Sequence, residues 1–150
     1  MNIYVRSMIA GFAATVVLSL LMIMKTAMGI MPQLDVISML SGMSQNMMGV
    51  GGAGIGWLAH FLIGTVLWGV LFALLHDRLP GSEPIMKGIS FGILAWLLMM
   101  ILPMPMVGAG FFGLALGMMA PVMALILHII WGAVLGIVFR MLPAEAVVQA

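Results

Sequence analysis

Gly56-Trp57-Leu58-Ala59-His60-Phe61-Leu62-Ile63-Gly64 returns later in the chain as Ala124-Leu125-Ile126-Leu127-His128-Ile129-Ile130-Trp131-Gly132. Each copy sets one histidine in a long apolar run, with a small residue four positions before it and a glycine four positions after it. Positions i−4, i and i+4 share one face of a helix. Each histidine is therefore expected in a groove that a second helix can enter, and the chain is organised around these two helices.

Composition sets the class. The 150 residues are 65% hydrophobic and 6% charged, with mean hydropathy +1.31. Globular domains carry about 25% charged residues, so a water-soluble domain is excluded. Continuous rather than alternating apolar runs exclude a membrane β-barrel. Helices satisfy their backbone groups internally, as hydrocarbon requires. A net charge of +1 gives no basic face for nucleic acid. The absence of cysteine removes disulfides, thiolate metal sites and cysteine nucleophiles.

Four runs approach the roughly 20 residues a membrane span needs. They lie at about 7–31, 53–75, 88–106 and 114–142, in a single transmembrane domain covering 1–150. Lys25, near the outer end of the first, can snorkel to the headgroups; its position and the length of the run favour a retained helix over a cleaved signal peptide. Pro32 ends that span and Asp35 can cap the next helix. Over about 35–48 the pattern is amphipathic, with Ser38, Ser41 and Gln45 on one face and Val36, Met39, Leu40, Met43 and Met47 on another. This predicts a short helix in the interface or folded back onto the bundle. Pro121 is expected to kink the fourth span. The fold class is thus all-α: a polytopic membrane four-helix bundle of two similar helix pairs plus an interfacial helix. Arg6, Arg78, Lys87 and Arg140 fall on one side, so both termini are expected to be cytoplasmic.

The two pairs share more than their histidines. Gly11 and Gly88, and the runs Leu20-Leu21-Met22 and Leu97-Leu98-Met99, stand 77 positions apart; His60 and His128, and Gly64 and Gly132, stand 68 apart. Gly69 to Phe72 and Gly136 to Phe139 repeat a third pattern, shifted by one residue. These matches predict an internal repeat with parallel topology. Gly11, Thr15, Gly56, Gly64, Gly69, Gly88, Gly92, Gly132 and Gly136 form small-residue faces suited to helix packing.

Few residues can carry chemistry. His60 and His128 are either polar links between helices, ligands of a b-type haem or metal, or part of a proton pathway. Counting inward from the outer edge puts His60 shallow and His128 nearer the midplane, which weakens shared ligation. Nineteen residues are methionine; Met39, Met43 and Met47 repeat at i+4, a spacing that suits soft copper(I) as well as adaptable packing. Lys25 and Asp35 are expected to pair across the turn at Pro32. Without a nucleophile–base pair, a phosphate loop, a zinc motif or paired carboxylates, the chain is not expected to be an enzyme.

The stretches Met24-Lys25-Thr26-Ala27-Met28-Gly29-Ile30-Met31-Pro32-Gln33-Leu34-Asp35, Gly56 to Val66 and Gly113 to Met123 carry a whole-length resemblance. The chain resembles a family of small bacterial four-span membrane proteins with no assigned function. The resemblance implies the topology and a bacterial inner membrane, and supplies no substrate or catalytic residue. The preferred expectation is a non-enzymatic scaffold or accessory subunit without a cofactor, associating with its own copies or with a larger membrane complex. The alternatives are a haem or copper protein using His60, His128 and the outer methionines, and a small oligomeric transporter.

Overall fold

The computed structural model describes residues 1–144; the tail 145–150, with Glu145, lies outside the described residues. All regular structure there is helical. The elements are α1 (Ile3–Ala27), α2 (Val36–Met48), α3 (Ala53–Leu62), a π-helical turn (Ile63–Leu67), α4 (Trp68–Leu75), α5 (Pro84–Ile101), α6 (Pro103–Met106), a 3₁₀ segment (Phe111–Leu116) and α7 (Ala120–Met141). They make four spans long and apolar enough to cross a membrane: α1, Ala53–Leu75, Pro84–Met106 and α7.

The second span and α2 stand close to their predicted bounds, but four ends differ, the first being the start of α1 at Ile3, four residues early, where the Asn2 side chain caps the helix. The first span stops at Ala27 rather than Met31, because Gly29 and Met31 take left-handed backbone conformations that break the helix. The third starts at Pro84, four residues early, since proline suits a first turn whose N–H groups have no partners. The fourth starts at Ala120, not Leu114. Phe112, Gly113 and Gly117 are all left-handed, so no helix can run through them, and Pro121 opens α7 instead of kinking it.

Glycine draws the spans together in pairs. A side chain at Gly11 would stand 2.6 Å from the Gly64 carbonyl, and one at Gly69 would strike the Met8 backbone. In the other pair, Gly88 lies on Gly132 and Gly136, Gly92 on the His128 carbonyl, and Gly136 on Pro84 and Ile85. Gly56 receives the Ile37 carbonyl, which docks α2 onto α3. The small-residue faces are thus consumed inside the chain, Thr15 included, since it packs on Gly64.

Between the pairs, α1 packs closely along α7, whereas the backbones of α4 and α5 stand further apart and meet through the side chains of Trp68, Phe72 and Phe91. An aromatic core of Phe72, Phe91, Trp131 and Phe139 fills the end where the termini lie. There Arg6 donates to the Phe139 carbonyl at 2.9 Å and lies 4.2 Å over that ring. At the opposite end a second cluster forms around Met100, Met104, Leu34 and Ala124.

Candidate functional site: an intramembrane cavity between two histidines

Because the second and third spans diverge, they leave a cavity of about 340 Å³ between them. α1 and α7 form its back wall through Thr15, Met22, Ala124 and Trp131, and α2 covers its outer end with Val36, Met39, Leu40 and Met43. This is the apolar face of α2 expected from the sequence, apart from Met47, which is 72% exposed and not in the lining. Leu67, Leu98, Leu102 and Met106 line the cavity and are also exposed on the outside of the bundle. They form a mouth facing the lipid.

Both histidines line this cavity. Their expected difference in depth came from starting the fourth span at Leu114. His60 is seven residues from the start of α3 and His128 eight from the start of α7, or about 10 and 12 Å at 1.5 Å per residue. They stand at one level.

Hydrogen bonds fix which nitrogen each ring offers. Ser19 donates its single hydroxyl hydrogen to the Thr15 carbonyl at 2.7 Å. Its oxygen can therefore only accept from His60, so Nε2–H donates to Ser19 at 3.2 Å and the neutral ring keeps its lone pair on Nδ1. His128 Nδ1 lies 2.8 Å from the Ala124 carbonyl and must donate, leaving the lone pair on Nε2. Neither free nitrogen is sealed in by protein. Trp131 spends its N–H on the Thr15 hydroxyl at 3.3 Å.

Lys25 and Asp35 do not form the expected ion pair. The Lys25 ammonium, 7% exposed, donates to the carbonyls of Ile30, Met31 and Leu34 at 3.1, 2.8 and 3.1 Å. That uses all three of its hydrogens and ties the turn after α1 over the end of the cavity remote from the termini. Asp35 instead caps α2, accepting from the backbone N–H and hydroxyl of Ser38 at 3.1 and 2.6 Å. Burial pushes its carboxyl up, but the bonds from Ser38 and Ile37 and the nearby Lys25 charge outweigh this and hold it below its ordinary value.

Residues 1–149 match the model of a protein family described only as of unknown function. The chain belongs to this family, DUF6789. No curated protein and no solved structure matches it. The DUF6789 chain thus takes its functional reading from its own geometry.

That geometry brings together His60, His128, Met39 and Met43, all electron-pair donors without charge. Among the described residues no three of His, Cys, Asp and Glu lie together. A soft monovalent ion is the metal this neutral nitrogen and thioether set would hold, though the cavity is far larger than an ion. Ser19 stands four residues beyond Thr15 on α1, and its sequence neighbours give no sign of its role, which depends on a partner 41 residues away. The π turn has a signal in the sequence, the one-residue shift between the two Gly-to-Phe patterns. The spacing from Gly64 to Gly69 is one longer than that from Gly132 to Gly136, and the π turn at Ile63–Leu67 absorbs the extra residue.

Proposed function

We propose that this chain is a non-enzymatic binding protein of the bacterial inner membrane, holding a small lipophilic molecule that enters sideways from the bilayer. The observation that carries this reading is that His60 and His128, from different helix pairs, line one apolar cavity at one level. Cavities of about 300–1,000 Å³ with a few convergent polar groups are typical small-molecule sites. Because the glycine faces are occupied within the chain, they no longer favour a scaffold that would use them to bind partners. The basic residues support cytoplasmic termini: Arg6 opens α1, Lys87 lies near the start of α5, Arg78 follows α4 and Arg140 lies at the end of α7.

The helix pairs are read as two copies of one unit. Contacts support this: Gly11 meets Gly64 as Gly88 meets Gly132, and Met8 meets Gly69 as Ile85 meets Gly136.

Native mass spectrometry of the mildly solubilised chain tests the binding reading. The parent should carry a small molecule, or take up added membrane lipophiles. Leu98→Trp, which fills the mouth, should lose it, while Leu97→Trp, outside the lining, should retain it. A parent that carries and accepts nothing, or a Leu98→Trp protein as loaded as the parent, refutes the reading.

A further inference from the structure

We infer that the ligand is a lipophilic hydroquinone, and that the cavity distinguishes it from the corresponding quinone. This rests on the binding reading above and adds the class of ligand. A membrane molecule entering through the lateral mouth meets hydrocarbon, thioethers, the Thr15 hydroxyl held between Trp131 and Gly64, and two imidazole lone pairs, His60 Nδ1 and His128 Nε2. Both rings are locked as acceptors, since Ser19 and Ala124 take their hydrogens. Lys25 and Trp131 have no hydrogen to spare, having given theirs to backbone carbonyls and to Thr15.

The complement of two acceptors from two different helices is a ligand with two donors on an apolar body. A hydroquinone has two hydroxyls across one ring, and its hydrocarbon tail can leave between Leu67 and Leu98 into the bilayer. The quinone is nearly the same in shape but presents carbonyl oxygens, which would face the imidazole lone pairs. A buried polar group without a partner costs more than a satisfied one gains, so the reduced form should bind at least about tenfold tighter. Binding alone is proposed, without electron transfer.

Ser19 acts here as a positioning residue. Without its hydroxyl, His60 is free to move its hydrogen to Nδ1 and donate into the cavity, which would accommodate a quinone carbonyl. Ser19→Ala should therefore weaken hydroquinone binding and strengthen quinone binding, so the ratio falls several-fold. A purely structural role would weaken both alike.

The test is anaerobic titration calorimetry of the full chain in detergent, with a decyl-substituted benzoquinone and its dithionite-reduced hydroquinone. The expected result is a hydroquinone preference of about tenfold or more that shrinks in Ser19→Ala. Equal affinities in the parent, or an unchanged ratio in a folded Ser19→Ala protein, overturn the inference. If lipophiles still bind and Leu98→Trp still abolishes that binding, the broader reading survives the failure. A haem Soret band or stoichiometric copper(I) lost in His128→Leu also overturns the inference. The parent ratio decides the matter even if a variant does not fold.

Discussion

Replacing Gly92 and Gly42 by alanine makes the same chemical change at two helical glycines, and the structure requires opposite outcomes. A methyl at Gly92 on α5 would collide with the His128 carbonyl oxygen and lie 3.2 Å from both the His128 carbonyl carbon and Gly132 Cα. All three are backbone atoms of α7, so no rotamer change relieves the clash and the two helices must separate. Overpacking costs about 1–3 kcal/mol, and a clash with backbone belongs at the upper end. Alanine returns about 1 kcal/mol of helix propensity, leaving a net loss of about 2 kcal/mol. At Gly42 on α2 a methyl meets nothing within 4 Å, so only the propensity gain remains, up to about 1 kcal/mol. For a chain of this size 1 kcal/mol moves Tm by about 2–4 °C. Gly92→Ala should lower Tm by about 4–8 °C and Gly42→Ala should raise it by about 2–4 °C. Thermal unfolding by circular dichroism in one detergent reads both. Shifts of the same sign would refute the claim that backbone contact between α5 and α7 is what requires glycine at 92.

Lys25→Met should destabilise the chain by about 2–4 kcal/mol, because three carbonyls lose charge-assisted bonds; hydrogen exchange should rise first over 28–35, and unchanged protection there would rule out the tether. The depressed Asp35 carboxyl contributes stability that is complete above the ordinary carboxylate value near 3.9 and is lost as pH falls through its lower folded value. Asp35→Asn keeps a capping oxygen and should flatten that acid limb of the stability curve; an unaltered limb would assign the loss to other groups. Deleting Val66 should turn the π turn into ordinary helix with both flanking faces in register, leaving a folded protein. Deleting Ile93 from uninterrupted α5 rotates one half against the other by about 100° and should unfold the chain, so equal damage from both deletions would contradict the repeat.

What the sequence reveals depends on whether the relevant contact is local. Bilayer-length apolar runs and the two faces of α2 are local, and the structure has them nearly in place. The start of α7 was misplaced because Leu114 to Ala120 is apolar enough to continue a span; the signal overlooked was glycine at 108, 110, 113 and 117, every one left-handed. A span starting at Leu114 is also what puts the two histidines at unequal depths when they are counted along the sequence. Gly11, Gly64, Gly88 and Gly132 announced close helix contacts, but spacing cannot say whether the partner is a neighbouring span or another molecule. Lys25 and Asp35 were expected to pair because they are the charges nearest each other on that side. The turn between them instead presents three carbonyls to the ammonium, which satisfies it more completely than one carboxylate already engaged at a helix start.

The two interfaces that the proposed pseudo-two-fold axis would exchange are unlike each other. One, between α1 and α7, is packed; its counterpart, between the third and second spans, closes through Trp68, Phe72 and Phe91 at the end near the termini and opens towards α2, where it forms the mouth. The π turn lies in the second span, on the open side, beginning three residues after His60. A π turn is a rare one-residue insertion in an α-helix that occurs most often at functional sites. Here it lets Gly64 keep its contact with Thr15 while Gly69 keeps its contact with Met8, so the extra residue leaves packing on α1 intact on both sides. The departure from two-fold likeness is thereby confined to the stretch between those glycines, where Leu67 lines the mouth. A repeat serving only to build a stable bundle has no reason to keep one interface partly open and to place a π turn beside the opening; the proposed binding site accounts for both.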